Sequence, residues 1–367
     1  MSLLSPKSAG ARAKSTVAGL YEEVARKVVS ESLHLKKGES VTVETWNNGL
    51  PIALAFVGEA RKTGAIPLVL FEDEDTYVLG VKNAPKEARG KMGKHEHGLL
   101  AASDAYFFVP NELLEGYATR ITPEEAEEAT SYGDSWYEAA EKAGLRGARM
   151  SFGFAGRELA RQLGKSVEEI EVHQLRAALV DFGSIRKAGK ELASRLPASG
   201  SGSLTSPSGS HLRFEFERGV HLEDGIVDAQ DVSAGHNVTY IPPGFLRKNI
   251  KPESVSGRVK LSPSGSWTGI IRDATLEFEK GRLVRWKSSS SRRMLDEAIE
   301  DQAESERVLN ALTIGLNPLM RYGYGQDRFV AGSIGVAGLS FNGIVRSGTL
   351  RAGHSVVVNQ GRLVPPS

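Results

Sequence analysis

The 367-residue chain contains no cysteine. That excludes disulfides, thiolate zinc sites, iron–sulfur clusters and cysteine nucleophiles together. It also lacks an excess of charge: 46 Lys and Arg face 45 Asp and Glu, for a formal net charge of +1. Attraction to nucleic acid or an anionic membrane is therefore not a global property of the chain, and neither is expected as a partner. No hydrophobic run approaches the length of a membrane span. The opening MSLLSPKSAGARAKS has no apolar core of signal-peptide length. It is basic and acid-poor, as transit peptides can be, but a short disordered tail over 1–15 is the preferred reading. A cytoplasmic protein fits these absences. A hydrophobic fraction of 40% and a charged fraction of 25% are those of a globular protein, and the length favours two domains.

The pattern begins at Thr16, a plausible N-cap, with Val17, Leu20, Val24 and Val28 on one helical face. A strand is expected over 40–44, then a helix over 51–63 ended by Gly64. The runs AIPLVLF (65–71) and AYFFV (105–109) read as strands buried on both faces. Alternating helix and strand predicts a parallel α/β layer with right-handed crossovers. Thr122-Pro123-Glu124-Glu125 opens an acidic helix, and 148–152 reads as a further strand. Ser166 to Glu169 has capping-box spacing, with helix expected onward to Leu196.

The stretch PASGSGSLTSPSGS (197–210) is the sharpest shift in composition and reads as a flexible connector. Beyond it, Leu212, Phe214 and Phe216 alternate with charged residues as in a half-buried strand. Further β-like segments lie at 257–261, 268–272, 274–278, 281–286 and 355–359, with one helix expected from Ser291 through Met294, Ile299 and Val308. The fold class expected is an α/β domain with a parallel sheet (16–198) followed by a β-rich α+β domain (199–367).

Among the motifs, GSIGVAG (332–338) has glycines at phosphate-loop spacing, but no Lys follows and no helix opens there. His95 and His97 lie two apart in a charged helical segment, where they diverge. His221-Leu222-Glu223-Asp224-Gly225 reads as an acidic hairpin turn, with a chelating role as the alternative. No Gly-x-Ser-x-Gly elbow occurs. Two segments are more distinctive: NVTYIPPGFL (237–246), with a tight Pro-Pro-Gly turn, and LNALTIGLNP (309–318), where an apolar run meets Gly315 and Asn-Pro.

In order and spacing these segments resemble the M29 family of metallo-aminopeptidases, of the aminopeptidase T and S type. The N-terminal LYEEVARKVVSESLHLKKGESVTV and AFVGEARKTGAIPLVLFED match its opening elements. SGSHLRFEFE, NVTYIPPGF, ATLEFEKGRLV, LNALTIGLNP, AGSIGVAG and HSVVVNQGRLV follow in the family's order. The resemblance covers most of 16–365 and implies an aminopeptidase T-like fold, a homodimer, and two divalent metals between domains. Such metals polarise the scissile carbonyl and generate hydroxide. The resemblance places ligands at a Glu after the Pro-x-Gly turn, a Glu near Gly-x-Asn-Pro, a His in the following small-residue strand, and a His-x-Asp before the last strand.

This sequence departs at each place. Phe245 follows the turn; Ala311 and Leu312 precede Gly-Leu-Asn-Pro; Gly335 stands for the His; Arg346 and Gly348 stand for His and Asp. Phe341 or Asn342 stands where the resemblance implies a general-acid Tyr after the His. No Glu, Asp or His occurs anywhere in 331–353, so a slip in register cannot restore those ligands. A cleft so depleted, with Arg346 added, is not expected to hold two cations. No metal, cofactor or catalytic residue is expected. Phe245, Arg247, Ala311, Leu312, Gly335, Asn342, Arg346 and Gly348 are instead expected around a peptide-binding cleft, with Arg346 or Arg247 available to a peptide carboxylate. A peptide could also add to a strand edge. The partners expected are a peptide, a second copy, and a separate enzyme that modifies the peptide, as in the crocagin type of ribosomal-peptide pathway. The alternatives are an active peptidase with ligands moved to His211, His221, Glu223 or His236, and a non-haem iron oxygenase of the related ring-cleaving dihydroxypyridine type.

Overall fold

The computed structural model describes residues 16–110, 120–150, 156–262, 264–266, 269–300, 302–339 and 343–365. The expected tail over 1–15 lies outside them, as do 151–152 and Phe341 and Asn342.

The N-terminal half alternates helix and strand as its periodicity predicts. In order come α1 (Val17–Lys27), β1 (Ser40–Trp46), α2 (Leu50–Thr63), β2 (Ile66–Glu72), α3 (Glu74–Asn83) and α4 (Lys94–Ala101). Then follow β3 (Ala105–Val109), α5 (Pro123–Ala143), β4 (Arg146–Met150), α6 (Arg157–Leu163), α7 (Val167–Ala178) and α8 (Phe182–Ser194). The caps are those the sequence announces. Thr16 Oγ1 accepts from Gly19 N at 3.2 Å, and Thr122 and Glu125 cap each other reciprocally at 3.2 and 2.8 Å. The helix read as continuous from 166 to 196 is broken in two. Asp181 accepts from Ser184 N at 2.7 Å and starts α8 afresh, an N-cap hidden inside an otherwise helical pattern.

The second half holds β5 (Gly200–Thr205), β6 (His211–Glu223), a short α9 (Ala229–Ser233), β7 (Val238–Ile241), β8 (Phe245–Ile250), β9 (Ser256–Lys260), β10 (Ser264–Ser266), β11 (Gly269–Ile271), β12 (Thr275–Glu279) and β13 (Arg282–Lys287). It ends with α10 (Arg292–Glu300), β14 (Ala311–Gly315), β15 (Ile334–Ala337), β16 (Gly343–Val345), β17 (Thr349–Ala352), β18 (Ser355–Asn359) and β19 (Arg362–Leu363).

Two main sheets result. The first is parallel, in the order β2-β1-β3-β4-β7. The second is antiparallel, in the order β16-β15-β14-β8-β6-β5-β17-β18-β19, with β9, β12 and β13 joined at β6. The fold class is therefore a five-stranded parallel α/β layer plus an antiparallel, sheet-rich C-terminal part. The residue 198/199 boundary falls between α8 and β5, and one later element crosses back: β7 completes the first sheet beside β4.

Two readings are corrected. Much of the supposed connector over 197–210 is β5, paired to β6 and β17. Its Gly-Ser composition serves packing: a Cβ on Gly202 would lie 2.2 Å from the Phe214 ring. The apolar run at β2 is not buried on both faces. It forms the sheet edge with β1 as its neighbour, and Ile66, Leu68 and Phe71 are each at least half exposed. The outer edge of β16, by contrast, is bridged by Ser262. One large apolar cluster runs through both halves, from Leu20 and Val24 on α1 to Val357 and Val358 on β18, with three smaller clusters beside it. Among the described residues, no helix is long and apolar enough to cross a membrane.

Candidate functional site

Side chains directly opposite one another in an antiparallel ladder share a face. One row across the second sheet is His221, Arg247, Thr313, Gly335 and Ile344. A second row on the same face is Glu223, Phe245 and Gly315, and a third is Asn249, Ala311 and Ala337. Of the residues the sequence singled out, Phe245, Arg247, Ala311 and Gly335 thus share one face. Leu312 points the other way, into the core, in register with the buried Lys248 and with Val336. Gly348 is buried, and a Cβ there would meet Ile334 Cδ1 at 2.8 Å. Arg346 is exposed at the rim, 3.0 Å from Asp327 and 4.7 Å above the Tyr322 ring centroid. Asn342 lies outside the described residues.

The segment after β14 folds over this face. Its anchor is Asn317, which is fully buried. Its Nδ2 donates to the carbonyls of Ala177 (3.0 Å) and Pro243 (2.9 Å), and its Oδ1 accepts from Leu319 N and Met320 N. The two distinctive turns of the sequence are thereby tied to one another and to the end of α7. Phe329 then packs edge-on against Phe245, with ring centroids 5.5 Å apart. Arg328 is carried over both rings, 5.5 Å from the Phe245 centroid and 4.8 Å from that of Phe329. Its Nε is buried without a hydrogen-bond partner.

The parallel sheet supplies the facing wall. Glu44, Phe108, Arg149 and Tyr240 form one row across β1, β3, β4 and β7. Arg149 lies 5.0 Å from the Phe108 centroid, and Tyr240 meets Tyr137 of α5 at 3.5 Å between hydroxyls. Glu223 Oε1 joins the walls, accepting from Thr239 Oγ1 and, at 3.0 Å, from Tyr240 N. Burial pushes the Glu44 carboxyl up to about 7, although the Tyr106 hydroxyl donates to it; Glu72 and Glu96 push the same way and Arg149 opposes them. Burial lowers the Arg328 guanidinium from its ordinary value, while Tyr240 and Glu223 act to raise it and Arg149 to lower it.

Residues 221–223, read as a turn, are instead the end of β6, because they pair with residues 247–245 of β8. The His221 ring lies 4.7 Å from that of His236, and His221 Nε2 is 3.9 Å from Glu223 Oε2. His211 is far off, paired with Thr205 and Arg258 at the other end of the strand. Among the described residues, no three His, Asp or Glu side chains come together so as to hold a metal ion. His95 and His97 are both exposed on α4.

Arg149, Arg328, Tyr240 and Tyr137 were not singled out by the sequence. They come from four separated segments, and no local pattern joins them. A separate cavity of about 500 Å³ lies beside α7, lined by Glu169, His173, Arg176, Arg321 and Tyr324, and includes none of the eight residues expected at the cleft. There His173 stacks on Tyr324 at 3.8 Å and accepts from Arg321 N at 3.1 Å. Burial first, then nearby Arg321, Lys165 and Arg176, bring the imidazole down to about 4.

The parallel α/β layer and the antiparallel sheet together form an aminopeptidase-like fold. No protein-family model and no curated protein matches the chain. Solved structures do. Wild-type AmpT from Thermus thermophilus superposes with a TM-score of 0.67 at 15% identity, over 94% of this chain and 99% of that one. The 2,5-dihydroxypyridine dioxygenase from Pseudomonas putida KT2440 superposes at 0.62 and 14% identity, over 96% and 99%. At such identities the likeness establishes the AmpT-like two-domain fold alone.

Proposed function

We propose that this chain is a peptide-binding protein of metallo-aminopeptidase descent that does not hydrolyse its ligand. The observation that carries the reading is the composition of the cleft face. Phe245, Arg247, Ala311, Thr313 and Gly335 stand there, with only His221 and Glu223 as candidate ligands. A Cβ on Gly335 would lie 2.1 Å from Thr313 Oγ1, so the space where a His side chain would begin is taken. One carboxylate and one imidazole cannot offset two cations, and without the cations no hydroxide is generated for amide attack. The aromatic walls and the free guanidinium groups remain suited to a peptide. In this reading the protein acts in the cytoplasm as a homodimer and presents its peptide to a separate modifying enzyme. Maturation of a ribosomally made peptide is a fitting context.

The alternative is a peptidase with relocated ligands, favoured by the proximity of His221, His236 and Glu223. Metal analysis of protein purified without chelator, combined with a peptide hydrolysis assay, separates the two. The expected result is substoichiometric metal and no turnover. Stoichiometric zinc, cobalt or manganese with hydrolysis lost on H221A would overturn the proposal.

A further inference from the structure

Three arginines on these walls make no ion pair within 4.0 Å of a carboxylate among the described residues: Arg149, Arg247 and Arg328. Arg346, by contrast, is neutralised by Asp327 at 3.0 Å. Arg247 spends one bond on the Asn310 amide, at 3.3 Å. Arg149 and Arg328 touch aromatic faces, which attract a cation without satisfying its N–H groups. Among the described residues two carboxylates act on them: Glu223, held by Thr239 and the Tyr240 amide, and Glu44, whose carboxyl burial pushes up to about 7. The three arginines outnumber these carboxylates among the described residues, and Arg328 carries a buried Nε with nothing to donate to. A buried donor left unmade is costly, so its retention points to a ligand that completes it.

We propose that Arg328 and Arg149, with Phe245, Phe329 and Tyr240 as walls, form a pocket for a carboxylate attached to an apolar or aromatic group. A planar guanidinium offers a carboxylate two parallel N–H donors, and the neighbouring rings accept the group beside it. A peptide C-terminus and an Asp or Glu side chain share this chemistry. The assignment deepens the peptide-binding reading and rests on it for the natural ligand, but the pocket can be probed without a peptide.

The test is calorimetry with N-acetylphenylalanine and its amide, then with short peptides bearing a free or amidated C-terminus, with and without Glu. N-acetylphenylalanine is expected to bind and its amide to bind roughly 10- to 100-fold more weakly, the range for a charged hydrogen bond. R328Q and R149Q should each lose a similar factor, R328K less, and R293Q, on the exposed face of α10, none. Among peptides, loss on amidation assigns the C-terminus, and loss on Glu-to-Gln exchange assigns the side chain. Peptides that bind wild type and R328Q alike, acid or amide, would sink the pocket and leave peptide binding standing. N-acetylphenylalanine binding with no peptide binding would sink the peptide reading and keep the pocket. No binding by any of them overturns both. Comparison of acid with amide on the wild-type protein needs no variant, so a folding defect in R328Q cannot mask the answer.

Discussion

Replacing Asn317 with Ala tests how the cleft is held together. The side chain makes four hydrogen bonds from a fully buried position, two to carbonyls of distant segments and two to amides of its own turn. A typical intramolecular hydrogen bond contributes about 1 kcal/mol net, and an orphaned buried partner costs about 1–3 kcal/mol. Ala leaves the Ala177 and Pro243 carbonyls without that donor, and Gly244 packs too closely for a rearranged side chain to replace it: its Cβ would sit 2.8 Å from Asn317 Cβ. Because one rigid group makes all four bonds, their losses are coupled. The expected cost is about 3–4 kcal/mol, a large share of the roughly 5–15 kcal/mol typical of a folded domain. Urea unfolding at 25 °C, followed by both circular dichroism and tryptophan fluorescence, measures it. N317D keeps the two acceptor contacts but turns a carboxylate oxygen toward two carbonyls. It should lose at least as much at pH 7 and recover part of the loss as the pH falls and the acid is protonated. A loss below about 1 kcal/mol in N317A would refute the view that this residue ties the turns to α7.

Other outcomes follow from single contacts. Gly335→Ala should cost about 1–2 kcal/mol by overpacking against Thr313, with Thr313→Ala on the same chain restoring most of it; additive losses in the double-mutant cycle would show that the two positions do not compete for space. Two groups, Glu44 and His173, should tilt stability against pH in opposite directions. Glu44 has a folded value near 7, above its ordinary 4.5, so its contribution falls as pH rises through that window. E44Q should therefore gain on the wild type between pH 4.5 and 8, by about 3 kcal/mol at most. His173 has a folded value near 4, below its ordinary 6.5, so its contribution is complete above pH 6.5 and is lost as pH falls toward 4. The ring is partly exposed, and solvent screening reduces that effect to about 1 kcal/mol; H173Q should flatten it, and parallel pH–stability curves for variant and wild type would contradict the assignment.

How much of this could be read in advance depends on whether the determining contacts are local. The helix starts at Thr16, Thr122 and Ser166 were legible because a cap is decided within four residues. The parallel layer was legible from alternating helix and apolar strand. Edge position was not: the run at β2 looks like a central strand, and only the sheet order shows that β1 alone flanks it. The Gly-Ser stretch at β5 looked like a linker because its small residues answer to Phe214 and Phe216, which lie ten or more positions on. At the cleft, Phe245, Arg247, Ala311 and Gly335 were picked out through a resemblance in order and spacing. Arg149 and Arg328 were invisible because their significance is a missing counter-charge, which depends on every neighbour in space.

The return of β7 to the first sheet has a further consequence. The strand that closes the parallel layer is encoded after two strands of the other sheet, so the chain is threaded between its halves rather than strung in series. Cutting the gene near codon 198 would strip β4 of its outer neighbour and leave a row of unpaired amides and carbonyls along it. Neither fragment would be a transplantable module. Evolution can redecorate this scaffold residue by residue, but it cannot exchange one lobe for another by recombining at the obvious seam.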